Sequence, residues 1–307
     1  MSTERVSSPL ALIGLGKMGA NMARRLARGG IPVHGFDASA TARAALAGEP
    51  GVVVHQSLAA ALGALPLPRV VWMMLPSGAA SEQALGEIKV LLAAGDLIVD
   101  GANANYLDSQ RRGAEIAQHG IEFVDCGVSG GIWGLDNGYC LMLGGERQAI
   151  ERVTAYARVL APDPDRGWLH CGPSGSGHFV KMIHNGIEYG MMQALAEGFA
   201  LLAGRPELEL DLASIAENWR HASVVRSWLL DLTAQALQGP EPLAAIAPRV
   251  ADSGEGRWSV DEAIRQGTPA PVLVAALMSR FDSQGKADTA NRLLALMRKG
   301  FGGHEPG

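Results

Sequence analysis

The stretch PLALIGLGKMGANMARRLARGG, residues 9–30, decides the fold of the first half of the chain. Its first five residues are nearly all apolar and too few for a helix. Glycines then break the pattern, and apolar residues return at helical spacing. That is a strand, a tight turn and a helix. Gly14, Gly16 and Gly19 supply G-x-G-x-x-G at the junction. In such a turn the first glycine permits the bend and the second lets backbone approach a pyrophosphate. The third lets the helix pack on the strand, with the helix N-terminus facing the phosphates. Asp37 ends the next strand, IPVHGFD, about twenty residues on, where a carboxylate takes the ribose hydroxyls and repels a 2′-phosphate. NAD is therefore expected rather than NADP, although Arg43 lies close enough to soften the preference. The expected cofactor contacts are the loop Gly14, Leu15, Gly16, Lys17, Met18 and Gly19, then Asp37, Leu75 and Asn103.

The same alternation continues outward. GVVVH, RVVWMMLP, DLIVDG and IEFVDCG read as buried strands, and SATARAALAG, SEQALGEIKVLLAAG and DSQRRGAEIAQHG as helices between them. Short apolar runs separated by amphipathic helices mean βαβ units and a parallel sheet. GYCLMLGG and GWLHCG read as further strands around the helix ERQAIERVTAYARVL. After GPSGSG (172–177) the alternation stops and the remaining segments read as helices. The expected architecture is α/β, a Rossmann-type doubly wound domain over residues 1–174 followed by an all-α domain over 175–307.

Bulk properties exclude several classes. The chain has 307 residues, 48% of them hydrophobic, and a net charge of −5, with a pI near 5.9. That balance argues against nucleic acid or an anionic membrane as partner. No apolar run is long enough to span a bilayer. The opening MSTERVSS is polar and short, so no signal peptide is evident. Cys126, Cys140 and Cys171 have no paired spacing and read as reduced core thiols of a cytoplasmic protein, with no metal site.

Two loops follow strand ends, where open α/β sheets bind ligands. In DCGVSGGIWGLDNGY, Ser129, Gly130 and Gly131 can offer backbone N–H groups and a hydroxyl, or form an ordinary loop. In GANANY, Asn103 can touch ligand or cap the next helix, and spacing alone favours the cap.

The segment GHFVKMIHNGIEYGMM, residues 177–192, carries the densest chemistry. Lys181, His184, Asn185 and Glu188 stand at i, i+3, i+4 and i+7, one face of a helix. On another face Val180, Ile183, Ile187, Met191 and Ala194 form an apolar stripe, so the helix has a greasy side and a compact row of four functional groups. The plain alternative is a solvated face with a Lys–Glu pair. Two turns, about 10 Å, separate those charges, and a solvated face does not call for four different chemistries.

Taken together, GLGKMGANMARRL, DCGVSGGIWGLDNGYCLMLGG and GHFVKMIHNGIEYGMMQALAEGF resemble the decarboxylating 6-phosphogluconate dehydrogenases. The likeness is closest to their short, NAD-preferring branch and runs from Pro9 to His304. The resemblance implies oxidation of 6-phospho-D-gluconate to D-ribulose 5-phosphate and CO2, in gluconate utilisation and the pentose phosphate pathway. It implies Lys181 as the base and later acid, and Glu188 as the second acid. His184 and Asn185 would orient the substrate, and Asn103, Ser129, Gly130 and Gly131 would hold its acid end. Tyr189 and Arg280 would hold the phosphate. Arg298 and His304, in the glycine-rich RKGFGGH, would come from a neighbouring subunit of a homodimer or higher oligomer.

The chain departs from the longer members in places. Ser253 and Glu255 replace two substrate-contacting side chains, Ile132 and Trp133 stand where acids do, Ala102 replaces a glycine, and the second half of the helical domain is missing. Two other readings share the glycine turn. A 3-hydroxyisobutyrate-type dehydrogenase has no need of Glu188, Arg280, Arg298 or His304. A non-catalytic NAD-binding protein needs neither base nor acid.

Overall fold

The computed structural model describes residues 8–302. The chain divides into two compact units between Met182 and Ile183. That division falls inside a helix which begins at Ser176, just after the end of the strand alternation.

In the first unit the elements are β1 (Leu10–Ile13), α1 (Lys17–Arg28), β2 (Val33–Phe36), α2 (Ala40–Ala44), β3 (Val52–Val54), α3 (Leu58–Gly63), β4 (Val70–Met73), α4 (Ala79–Leu91), β5 (Leu97–Asp100), α5 (Tyr106–Ala117), β6 (Glu122–Ser129), α6 (Gly134–Asn137), β7 (Cys140–Gly145), α7 (Arg147–Leu160) and β8 (Trp168–Gly172). The first two turns of α8 (Ser176–Ala203) also belong to it. The strands form one sheet in the order β3-β2-β1-β4-β5-β6-β7-β8. All pairs are parallel except β6 with β7, where Asp125 opposes Gly144 and Ser129 opposes Cys140.

Both faces of this sheet are covered, which is why its strands read as continuous apolar runs. The period of two sorts neighbours to opposite cores. Leu10 and Leu12 join Met22 and Leu26 of α1 and Val153 and Tyr156 of α7. Ala11 and Ile13 join Leu58 and Leu62 of α3, Leu85 and Ile88 of α4 and Ile116 of α5. Of the three thiols, only Cys126 is a core residue. Cys140 is exposed and Cys171 intermediate, and all three are free. Cys140 begins the antiparallel strand, a position that strand alternation alone did not fix.

The second unit is helical. After α8 come α9 (Leu212–Trp219), α10 (Trp228–Gln238), α11 (Glu255–Gln266), α12 (Pro271–Ser283) and α13 (Asp288–Gly302). Its apolar clusters are small. Phe199 packs with Ala216, Leu230 and Ala234, and Tyr189 with Val260, Ala276 and Leu277.

The two faces of the long helix α8 differ in exposure in the single chain. Val180, Ile187 and Met191 are 39%, 51% and 42% exposed, whereas Lys181 and Asn185 are 7% and 8% exposed. For Lys181 the reason is local: a glycine on the strand beneath the first turns leaves room for its stem, as described next.

Candidate active site

The glycine turn forms as its residue types require. Gly14 has φ +96, and a Cβ there would lie 2.8 Å from the Met74 carbonyl carbon and 2.9 Å from Leu75 Cδ2. A Cβ on Gly19 would strike the Gly14 carbonyl oxygen. Around a Cβ placed on Gly16 there is open space. α1 starts at this point with no side-chain cap and no acid in its first turn. Its leading N–H groups are thus left for an anion, and Gly16 and Lys17 are exposed beside them. This cradle fits a dinucleotide pyrophosphate. Leu15 is buried, Met18 packs on the core, and Leu75 closes against the turn.

Asp37 follows β2 directly. One carboxylate oxygen accepts the Leu15 N–H at 2.7 Å, and the other accepts the Ser39 N–H at 2.7 Å. The carboxylate therefore braces the glycine turn and keeps lone pairs for ribose hydroxyls. Arg43 donates to the Asp37 and Ala38 carbonyls at 2.7 and 3.0 Å. Its guanidinium thus stands next to the position that separates NAD from NADP.

The loop after β5 is set by a buried ion pair. Asp100 accepts the Ala102 N–H at 3.1 Å and receives Arg112 Nη1 at 2.8 Å. Arg112 also donates to Glu82 Oε1 at 3.0 and 2.8 Å. Ala102 and Ala104 are buried, and Asn103 between them is exposed. The cap of α5 is Asn105, whose side chain accepts the Leu107 N–H at 3.0 Å. The spacing argument for Asn103 as the cap was therefore wrong by two residues. Asn103 is left to point outward.

Lys181 is placed by β6. The buried Asp125 accepts the Gly175 N–H at 2.6 Å and the His178 N–H at 2.8 Å, which anchors the start of α8. Burial pushes the Asp125 carboxyl up, against the lowering by His178 and the backbone donors. His178 is itself buried, with Nδ1 2.6 Å from Ser109 Oγ of α5. Two residues along the strand, a Cβ on Gly127 would lie 3.0 Å from both Lys181 Cγ and the Gly177 carbonyl oxygen, and closer still to Lys181 Cβ. A bare backbone at Gly127 lets the helix rest on the strand. Lys181 is thereby packed against the strand that ends at Ser129 and leads into Gly130 and Gly131. Its charge also reaches Cys140, opposite Ser129, where it opposes the upward push of burial on the thiol.

Further along α8, His184 Nδ1 lies 2.9 Å from Asn185 Oδ1 and 3.9 Å from Glu188 Oε2. Tyr189, 6% exposed, has its hydroxyl 3.0 Å from Ser253 Oγ and accepts the Ser253 N–H at 3.3 Å. The Arg280 guanidinium lies over the Tyr189 ring at 3.4 Å and donates to the Ala251 carbonyl at 2.6 Å. Tyr189, Ser253 and Arg280 are thus one group.

Residues 9–162 match the family described as the NAD binding domain of 6-phosphogluconate dehydrogenase, and residues 177–300 match its C-terminal domain. The chain belongs to the 6-phosphogluconate dehydrogenase family. It is 40% identical over 298 residues to the NAD(+)-dependent, decarboxylating 6-phosphogluconate dehydrogenase of Haloferax volcanii, covering 96% of this chain and 97% of that one. The structure of Plasmodium falciparum 6-phosphogluconate dehydrogenase matches with a TM-score of 0.83 at 27% identity. That match covers 96% of this chain but 65% of the other, so this family member is the shorter. Mycobacterium tuberculosis 3-hydroxyisobutyrate dehydrogenase, at 23% identity and a TM-score of 0.70 over 92% and 94% of the two chains, shares the fold.

Among the site residues suggested by the 6-phosphogluconate dehydrogenase resemblance, Arg298 of the glycine-rich RKGFGGH is helical. It is exposed within α13, which runs to Gly302. His304 lies outside the described residues. Asp125, Gly127, Ser253 and Arg112 organise these positions, and sequence reading passed over their roles. An acid four residues before Ser129 gives no local sign that it anchors a helix fifty residues away.

Proposed function

We propose that this chain oxidises 6-phospho-D-gluconate at C3 and releases CO2 to give D-ribulose 5-phosphate, with NAD as the preferred cofactor. The observation that carries this reading is the Tyr189–Ser253–Arg280 group. A cation stacked on a phenol, beside two hydroxyls, suits a phosphate, which draws several charge-assisted donors. A small unphosphorylated hydroxy acid has no second anion to place there.

NAD, when bound, supplies the hydride acceptor. The remaining chemistry is assigned to the chain's own residues. Lys181 takes the proton of the C3 hydroxyl as the base. The resulting β-keto acid can lose CO2 because its ketone accepts the electron pair, and Lys181 as ammonium then donates to that oxygen. Glu188, two turns along α8, protonates C1 of the enediol. His184 and Asn185 orient the sugar hydroxyls. Ser129, Gly130, Gly131 and Asn103 hold the carboxylate end. Arg298 and His304 of a second copy complete the phosphate site, which makes the active unit a homodimer at least. The exposed Leu293, Leu294, Leu296 and Met297 on α13 support a covered helix face there. Among the described residues no helix is long and apolar enough to cross a membrane, and we place the reaction in the cytoplasm, in gluconate utilisation and the pentose phosphate pathway.

The decisive assay follows NADH and CO2 together from 6-phosphogluconate and NAD. Equal yields support the proposal. NADH without CO2 would indicate a non-decarboxylating hydroxyacid dehydrogenase, and neither product would indicate a binding protein.

A further inference from the structure

The segment that follows β6 is held by the helix that opens the dinucleotide site. Beyond Ser129 the chain makes a 3-10 turn, Gly131–Trp133, and the short α6. Residues 131–133 are exposed. Asn21, on the second turn of α1, donates from Nδ2 to the Ile132 carbonyl at 3.1 Å. One turn on, Arg25 donates to the Leu135 carbonyl at 3.0 Å and the Asp136 carbonyl at 3.5 Å. The same guanidinium reaches the end of α7, at the Val159 carbonyl (3.0 Å) and the Ala161 carbonyl (2.6 Å).

The Asn21 amide is itself oriented. Its Oδ1 accepts Arg24 Nη1 at 3.3 Å, which turns Nδ2 toward the loop. Arg24 is fixed in turn by Glu49 Oε2 at 2.9 Å and the Ala45 carbonyl at 3.2 Å. The Asn21 amide is spent on this segment, and the planar five-donor Arg25 guanidinium ties the same segment and the end of α7 to α1. The N-terminus of the same helix faces the pyrophosphate cradle.

We propose that Asn21 and Arg25 are positioning residues. They fix residues 132–136, into which the Ser129–Gly131 loop runs, to α1, so that substrate affinity depends on a contact made from the cofactor helix. The inference rests on the reading of Ser129, Gly130 and Gly131 as holders of the substrate's acid end.

Asn21→Ala and the isosteric Asn21→Asp test it, since both remove one exposed donor and leave the core untouched. One such hydrogen bond corresponds to a rise of about 2–10-fold in KM for 6-phosphogluconate. The NAD Kd by calorimetry and the thermal midpoint should stay near wild type, a split that a merely structural role would not give. Asn21→Asp should exceed Asn21→Ala, because its carboxylate faces the Ile132 carbonyl. Amide exchange across residues 131–137 should quicken in both variants, a readout independent of turnover. Unchanged KM and unchanged exchange would overturn the proposal. Ser129→Ala separates the two readings. If it raises KM while the Asn21 variants do not, the loop binds substrate and the tether is idle. If neither matters, the loop assignment falls as well. If only the Asn21 variants raise KM, the tether stands and the contact passes to the N–H groups of Gly130 and Gly131.

Discussion

Gly127→Ala adds a single methyl group at the point where α8 rests on β6. The new Cβ would lie 3.0 Å from Lys181 Cγ and from the Gly177 carbonyl oxygen, and nearer to Lys181 Cβ. Non-bonded carbon contacts relax at about 3.5–4.0 Å, so the helix must lift by about 1 Å. The Asp125 bonds to Gly175 and His178 resist that lift. Overpacking of this kind costs about 1–3 kcal/mol. Each kcal/mol lowers the midpoint by about 2–4 °C for a domain of this size. A base displaced by about 1 Å can lose about a hundredfold in rate. The measurements are a thermal melt, NAD titration and steady-state kinetics with 6-phosphogluconate. NAD binding should be unchanged, because the glycine turn at Gly14 lies elsewhere on the sheet. A variant with wild-type midpoint and wild-type kcat would refute the claim that a bare backbone at Gly127 places Lys181.

Lys181→Ala should abolish turnover while calorimetry still shows NAD binding, and near-normal kcat would remove it as the base. Asp37→Ala should narrow the ratio of kcat/KM for NAD over NADP; an unchanged ratio would leave the carboxylate only its structural bonds to Leu15 and Ser39. Mixing Lys181→Ala with Arg298→Ala chains should recover activity through hybrid dimers, and verified hybrids without activity would confine each site to one chain. His34, 2.9 Å from His55, has its pKa lowered by burial and then by the His55 charge. The unfolded chain therefore takes up the proton first, so this group costs stability as pH falls below about 6.5. Urea midpoints at pH 7.5 and 5.5 should diverge less in His34→Asn than in wild type.

Local chemistry was legible in the sequence wherever one short segment carried it. The glycine turn, the strand–helix alternation and the row on α8 each depend on residues within a few turns of one another. Long-range placement was not legible. α3, in SLAAALG, is only six residues and too short for a periodic signal. The reversal of β7 depends on which edge of β6 was free. Asn103 and Asn105 are alike as caps by type, and only the backbone entry into α5 selects Asn105. Periodicity shows that α8 has two faces, and only Gly127 on the neighbouring strand shows where Lys181 is seated.

The seating of Lys181 bears on what selects the native packing. Hydrophobic collapse is undirected and favours whichever docking hides the most grease. For the first turns of α8 that docking would bury Val180 and leave Lys181 in water, the reverse of their seating in the single chain. The native seating is selected by shape at Gly127 and by two hydrogen bonds to Asp125, both of which need a completed β6. An inward-facing lysine is thus held by backbone shape and by hydrogen bonds rather than by apolar burial of its own face.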